Sequence, residues 1–191
     1  MSCYIVGPEW DRRVVEVIPR ENDAIVMSGG LDSYVLYNLL SKPKIFNIKR
    51  KDNFDNSDQI RKLTGAEVIE VDEVTTDSTE RLQQTVHKIM DEYDIGMLYC
   101  GLNHTPPLEY FPEFDTEAKP NRPWRIDHPK FKTPFLHIYK YNIIDLGNQL
   151  NLDLNKTQSC LWEIYSHCGE CWQCKERQWG FDQLKKKMKK N

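Results

Sequence analysis

The sequence predicts an α/β fold: a doubly wound, mostly parallel sheet with helices on both faces, followed by a C-terminal metal-binding segment. Three observations predict it. Short continuous apolar runs alternate with helical periodicities, a glycine-rich string sits where one such run hands over to a helix, and four cysteines cluster near the C-terminus. Continuous apolar runs suit strands buried on both faces. A parallel crossover needs about a dozen or more residues, usually a helix.

In chain order, Cys3-Tyr-Ile-Val and Val14-Val-Glu-Val-Ile flank Gly7-Pro-Glu-Trp-Asp and read as a hairpin or edge extension. Ala24-Ile-Val-Met is the first buried strand, followed by strands at Lys44-Ile-Phe-Asn-Ile, Glu67-Val-Ile-Glu-Val and Gly96-Met-Leu-Tyr-Cys. Between the first two of these, Val35, Leu36, Leu39 and Leu40 share one helical face; before the last, Leu82, Val86, Ile89, Met90 and Tyr93 do. Asp77 or Ser78 is placed to cap that second helix. A shorter helix is expected from about Ser57 to Leu63, ended by Thr64-Gly65. From Leu102 to about Pro134 the chain is proline-rich and loses its period, as functional or mobile loops do. A helix returns over Tyr139–Leu150, and a terminal helix is expected from Trp172 to Lys190.

A length of 191 residues suits one domain. Within it, residues 1–22 form the N-terminal extension, 23–155 a nucleotide-binding α/β core, and 156–191 the metal-binding segment with the terminal helix. Lys plus Arg number 26 against 29 Asp plus Glu, a net charge of −3, which argues against attachment to nucleic acid or membrane by bulk charge. No apolar run reaches the ~18 residues of a membrane span, and the first residues lack a basic-then-apolar leader. These features lead us to expect a cytoplasmic protein, in which cysteines serve as ligands or catalysts more often than as disulfides.

Met27-Ser-Gly-Gly-Leu-Asp-Ser33 stands at the junction of the first buried strand and its helix. Adjacent glycines let the backbone approach an anion, and a helix N-terminus favours negative charge. The hydroxyls of Ser28 and Ser33 add donors. Asp32 beside a phosphate calls for a cation between them, and magnesium is the natural candidate. The plainer alternative is a strand-to-helix turn in which Asp32 caps the helix. The string has neither the Gly-Lys-Ser/Thr of a Walker A loop nor a Gly-x-Gly-x-x-Gly fingerprint.

Cys160-x7-Cys168-x2-Cys171-x2-Cys174 offers four soft ligands on tight turns, with Gly169 relieving crowding. Four thiolates around zinc make a closed structural site, although an iron–sulfur cluster suits the same ligands. Lys156, His167, Lys175 and Arg177 lie nearby to offset the charge. Cys100 ends a buried strand and reads as core, and His87 as packing or surface. Asn103 and His104 follow the last parallel strand, on the edge where open α/β sheets bind ligands. Glu113 and Asp115 are further carboxylates in the polar loop, candidates for a metal or an amine.

Ser28-Gly29-Gly30-Leu31-Asp32-Ser33 resembles the loop of the PP-loop ATP pyrophosphatases. That resemblance implies an adenine nucleotide alpha-hydrolase-like fold that holds the pyrophosphate end of ATP and its Mg2+ at these residues. Together with Ser159-Cys-Leu-Trp and Cys168-Gly-Glu-Cys-Trp-Gln-Cys-Lys-Glu-Arg177, it resembles the 7-cyano-7-deazaguanine synthases. Gly101-Leu-Asn, Pro112-Glu-Phe, Thr133-Pro-Phe-Leu, Lys140, Ile144, Leu146 and Thr157 match as well. The chain reads as a short, divergent member, differing from the family at Asn47–Asn56 and at His104–Phe111.

The resemblance implies an ATP-dependent carbon–nitrogen ligase with ATP, Mg2+ and Zn2+, with Asp32 and Ser33 in the chemistry. Its small-molecule substrates would be a 7-deazapurine carboxylate and ammonia; the candidate substrate contacts, from their place at and after the sheet edge, are Asn103, His104 and Glu113. Homodimerisation is left open. Alternatives are adenylation of another carboxylate or of RNA, and a nucleotide-binding module without turnover.

Overall fold

The computed structural model describes residues 2–49, 56–75, 80–111, 126, 128–160 and 167–188. β1 (Ser2–Val6) and β2 (Arg13–Val17) pair antiparallel as a ribbon of their own, from Ser2 opposite Val17 to Val6 opposite Arg13. Val6, Val15 and Val17 turn inward, whereas Ile5 and Val14 face out, as a period of two requires. The ribbon docks on helix α4 (Lys140–Gln149) through Gly7, whose N–H donates to Asp145 Oδ2 at 2.7 Å. Gly7 has φ +94°, and a Cβ there would meet Asn142 Nδ2 at 2.1 Å, so only glycine permits this approach.

The main sheet has five parallel strands: β3 (Ala24–Val26), β4 (Lys44–Lys49), β5 (Val68–Asp72), β6 (Leu98–Cys100) and β7 (Phe131–Lys132). Their spatial order is β5-β4-β3-β6-β7. The chain runs outward from β3 through β4 to β5, then returns to the other side of β3 for β6. The direction of winding therefore reverses between β3 and β6, the position at which open α/β sheets leave a crevice at their C-terminal ends. β7 was not expected from the sequence, because two residues cannot display a period.

β3 is buried along its whole length and divides its side chains between two cores. Ile25 joins Val35, Leu36, Ile143 and Ile144 on one face; Ala24 and Val26 join Phe46, Val86, Ile89 and Leu98 on the other. Helix α1 (Leu31–Leu39) and α4 thus cover the first face, and α3 (Arg81–Glu92) the second. Helix α2 (Ser57–Thr64) stops where Gly65 takes the left-handed conformation, φ +68°, as its sequence predicts. Asp77 and Ser78 lie outside the described residues. The last helix, α5 (Trp172–Met188), packs along α4. Among the described residues, no helix is long and apolar enough to cross a membrane.

Candidate functional site

The glycine loop fills the gap between β3 and α1. Two side-chain amides hold its carbonyls: Asn47 Nδ2 donates to Met27 O at 2.9 Å, and Asn56 Nδ2 donates to Ser28 O. Asn47 Nδ2 also reaches Asn56 Oδ1 at 2.9 Å, which links the two braces. Gly29 adopts φ +75°, a conformation that costs a side-chain-bearing residue steric strain. Ser33 Oγ donates to Gly30 O at 3.0 Å and thereby tightens the start of α1.

Gly30 is the N-cap of α1, and among the described residues no side chain caps the helix. The alternative in which Asp32 caps α1 is therefore not what the loop does. Asp32 instead pairs with the ammonium of Lys140, and among the described residues the first N–H groups of α1 have no side-chain acceptor. Leu31 points the other way and is fully buried in the core. Gly101, just past β6, presses on this turn. A Cβ there would lie 2.9 Å from Ser33 N and 3.0 Å from the Asp32 carbonyl carbon.

A cavity of about 360 Å3 opens over the loop at the C-terminal end of the sheet, within the size range of small-molecule sites. Ser28, Gly30, Asp32 and Ser33 line it from the loop, Asn103 from the end of β6, and Cys160 from the cysteine segment. Lys140, Gln158, Ser159 and Glu176 also line it, and sequence reasoning gave none of these four a role. Lys140 and Glu176 are almost wholly buried, with side-chain exposures of 5% and 2%. Lys140 Nζ pairs with Asp32 Oδ2 and lies 3.4 Å from Glu176 Oε2, while Asn103 Nδ2 donates to Glu176 Oε1 at 2.7 Å. Burial alone would lower the Lys140 pKa. The two carboxylates outweigh it and hold the pKa above the ordinary lysine value.

The second carboxylate oxygen of Asp32, Oδ1, is sealed from solvent and has no hydrogen-bond partner among the described residues. A buried, orphaned anionic oxygen on a residue that lines the cavity suits a hard cation, so Asp32 fits magnesium. His104, in contrast, is exposed; its Nδ1 lies 2.8 Å from Thr105 O and its ring packs on Tyr139. It does not line the cavity. Glu113 and Asp115 lie outside the described residues. Cys100 lines the cavity, but burial pushes its thiol up to about 12, which suits a core residue and not a nucleophile.

The cysteine segment closes one side. The sulfurs of Cys160, Cys168, Cys171 and Cys174 all lie within 4.8 Å of one another, and Cys168 and Cys174 are 3.9 Å apart. Bonds of about 2.3 Å to a tetrahedral zinc place sulfurs about 3.8 Å apart, so the set fits one zinc ion. A multi-iron cluster holds its cysteine sulfurs farther apart, because metal–metal distances add to the metal–sulfur bonds. Gly169, at φ +76°, turns the chain between the ligands, and the Cys171 N–H points at Cys168 Sγ from 3.3 Å. Burial and the neighbouring thiols push Cys174 up to about 12; four thiolates this close need a cation among them.

Arg177 ties this segment to the loop. Its Nη2 donates to Leu154 O at 2.6 Å and its Nη1 to Thr157 Oγ1 at 2.7 Å, while the Gln158 N–H donates to Gly29 O at 3.0 Å.

A parallel sheet with this strand order and a Ser-Gly-Gly-Leu-Asp-Ser loop at its switch point defines an α/β protein of the PP-loop kind. Residues 114–185 match the family described as "Queuosine biosynthesis protein QueC", and the chain is QueC-like over that part of its length. It is 43% identical over 53 residues to the 7-cyano-7-deazaguanine synthase of a Nitratiruptor species, a match covering 28% of this chain and 24% of that protein. It is 41% identical over 49 residues to the 7-cyano-7-deazaguanine synthase of a Sulfurihydrogenibium species, covering 26% and 22%. The matched stretch thus spans about a quarter of the length of these curated relatives.

Proposed function

We propose that the chain is an ATP-dependent carbon–nitrogen ligase that converts the carboxylate of 7-carboxy-7-deazaguanine to the nitrile of 7-cyano-7-deazaguanine. The observation that carries this reading is that the glycine loop and the family-matching cysteine segment line one cavity. In the reaction, a carboxylate oxygen attacks the α-phosphorus of ATP and pyrophosphate leaves. Ammonia then attacks the acyl carbon and AMP leaves, giving the amide. A second ATP activates the amide oxygen, whose departure with AMP gives the nitrile.

The uncapped start of α1 and the hydroxyls of Ser28 and Ser33 supply donors for the leaving pyrophosphate, in a pocket where fixed donors cost no reorganisation. Asp32 would hold magnesium, which neutralises charge on the phosphates. Lys140 would add a buried positive charge beside them, and Asn103, which lines the same cavity, would contact the substrate. The four cysteines would hold zinc as a structural cross-link.

Incubating the protein with 7-carboxy-7-deazaguanine, ATP, Mg2+ and ammonium should release AMP and pyrophosphate and yield a nitrile detectable by mass spectrometry. Zinc-loaded protein that gives no adenylate, amide or nitrile would overturn the reading. A second reading rests on residues 47–56 and 104–111, where the chain differs from the resembled family: adenylation of another carboxylate or of a nucleobase in RNA. A substrate screen for AMP release separates the two. ATP binding without AMP release on any substrate would mark a module without turnover.

A further inference from the structure

Lys140 sits between two acids that belong to different parts of the chain. Asp32 comes from the glycine loop and Glu176 from α5, two residues beyond the last cysteine. The stem of Lys140 is fixed by the same face of α5. A Cβ at Gly180, one helical turn after Glu176, would meet Lys140 Cγ at 2.8 Å and Ile144 Cδ1 at 2.8 Å. With its stem clamped, the ammonium can move only through the last torsions of its side chain, between Asp32 Oδ2 and Glu176 Oε2. Asn103 engages the other oxygen of Glu176, which turns Oε2 toward the lysine.

This arrangement bears on Asp32. While Lys140 is paired with it, one of its oxygens is neutralised, and a cation binding at Asp32 must displace that ammonium. Leaving a buried ammonium unpaired is strongly unfavourable, so displacement calls for a second anion within reach. Glu176 is that anion.

Resting on the functional reading above, we propose that Glu176 is a positioning residue that receives the Lys140 ammonium and so frees Asp32 for a divalent cation. Lys140 and the cation compete for Asp32, and Glu176 sets the balance between them. Helix α5, which carries Cys174, thereby controls the metal affinity of a loop far from it in sequence.

The test uses the full-length, zinc-loaded chain and Mn2+ as the probe, titrated by electron paramagnetic resonance with and without α,β-methylene ATP. Glu176→Gln should raise the Mn2+ concentration for half-maximal binding about tenfold, toward the low end of ordinary coupling between mutually exclusive ligands. Saturating Mn2+ should restore nucleotide binding to nearly the wild-type level. Lys140→Met should remove the competition, so that adding Glu176→Gln to it has no further effect on the midpoint.

A purely structural role for Glu176 would instead weaken nucleotide binding equally at all Mn2+ concentrations, and would persist in the Lys140→Met background; either result overturns the proposal. Zinc content and melting temperature identify a misfolded variant, in which case Glu176→Asp, with its carboxylate drawn back from Lys140, gives the same test. Wild-type protein that binds Mn2+ but forms no AMP would remove the ligase reading and leave this one standing. A chain with no Mn2+ site at all would remove both.

Discussion

Asp32 is the residue on which the proposed chemistry turns, and its surroundings make it a clean target. Replacing it by alanine leaves Lys140 still paired with Glu176, so no buried ammonium is stranded and the fold should hold. We expect Asp32→Ala to keep its melting temperature within a few degrees while slowing pyrophosphate release by about 10^2 to 10^3, the usual cost of losing one prearranged charge-stabilising element. Pyrophosphate release measured beside thermal melting checks both halves; normal turnover would show that Asp32 only pairs with Lys140. Gly101 acts through space alone. A methyl there would press on the backbone of Asp32 and Ser33, which cannot yield as a flexible side chain can. Gly101→Ala should therefore cost about 1–3 kcal/mol by overpacking, read from urea denaturation, and weaken nucleotide binding because the loop is displaced.

At the scale of elements, β5 is fastened to its neighbours partly by charge. Glu70 on β5 pairs with Arg61 of α2 at 2.5 Å and with Lys49 of β4 at 3.0 Å. The Arg61 guanidinium first, then Lys49 and Ser57, lower the Glu70 carboxyl to about 2. A carboxyl whose folded pKa is depressed stabilises the fold above its unfolded pKa, about 4.3, and loses that contribution as pH falls toward 2. Glu70 is a surface group, so the effect is small. Glu70→Gln should lower stability at pH 7 by less than about 1 kcal/mol, and the difference from wild type should shrink as denaturation curves are taken from pH 5 to pH 3. A difference constant over that range would mean that the charge contributes nothing.

At the scale of the molecule, the cysteine segment joins the two ends of the site. Cys160 follows Thr157 by three residues, Cys168 and Cys171 lead into α5, and Cys174 lies in its first turn; α5 carries Glu176 and Arg177 into the interior. A zinc ion there would fix the register of α5 as well as closing the segment, and structural zinc contributes folding free energy directly. Elemental analysis should give one zinc per chain in a colourless protein. Serine at any of the four cysteines should lower the melting temperature and, because α5 loses its anchor, weaken nucleotide binding with it. Zinc well below one per chain, with all four thiols freely reactive in the folded protein, would remove the metal from the account.

Much of this was legible in the sequence, for physical reasons specific to each element. Ala24–Val26 reads as a central strand because burial on both faces demands an unbroken apolar run. The glycine string reads as an anion loop because few residue types tolerate that turn. The four cysteines are legible as one ligand set because they lie within a short span and have the soft chemistry zinc requires. The strand Phe131–Lys132 was not legible, being too short to show a pattern, and His104 pointed outward for reasons only its packing on Tyr139 reveals. What the sequence by itself determined was the alternation of strands and helices, the loop and the four-cysteine set that could hold a metal, since each is written in residues close together along the chain. What only the tertiary structure decided was the buried set of Asp32, Lys140, Asn103 and Glu176: Lys140 meets Asp32 across 108 positions, and Glu176 meets Asn103 across 73. Pairings at that separation leave no local period or spacing to read, because they form only when α4 and α5 close over the end of the sheet.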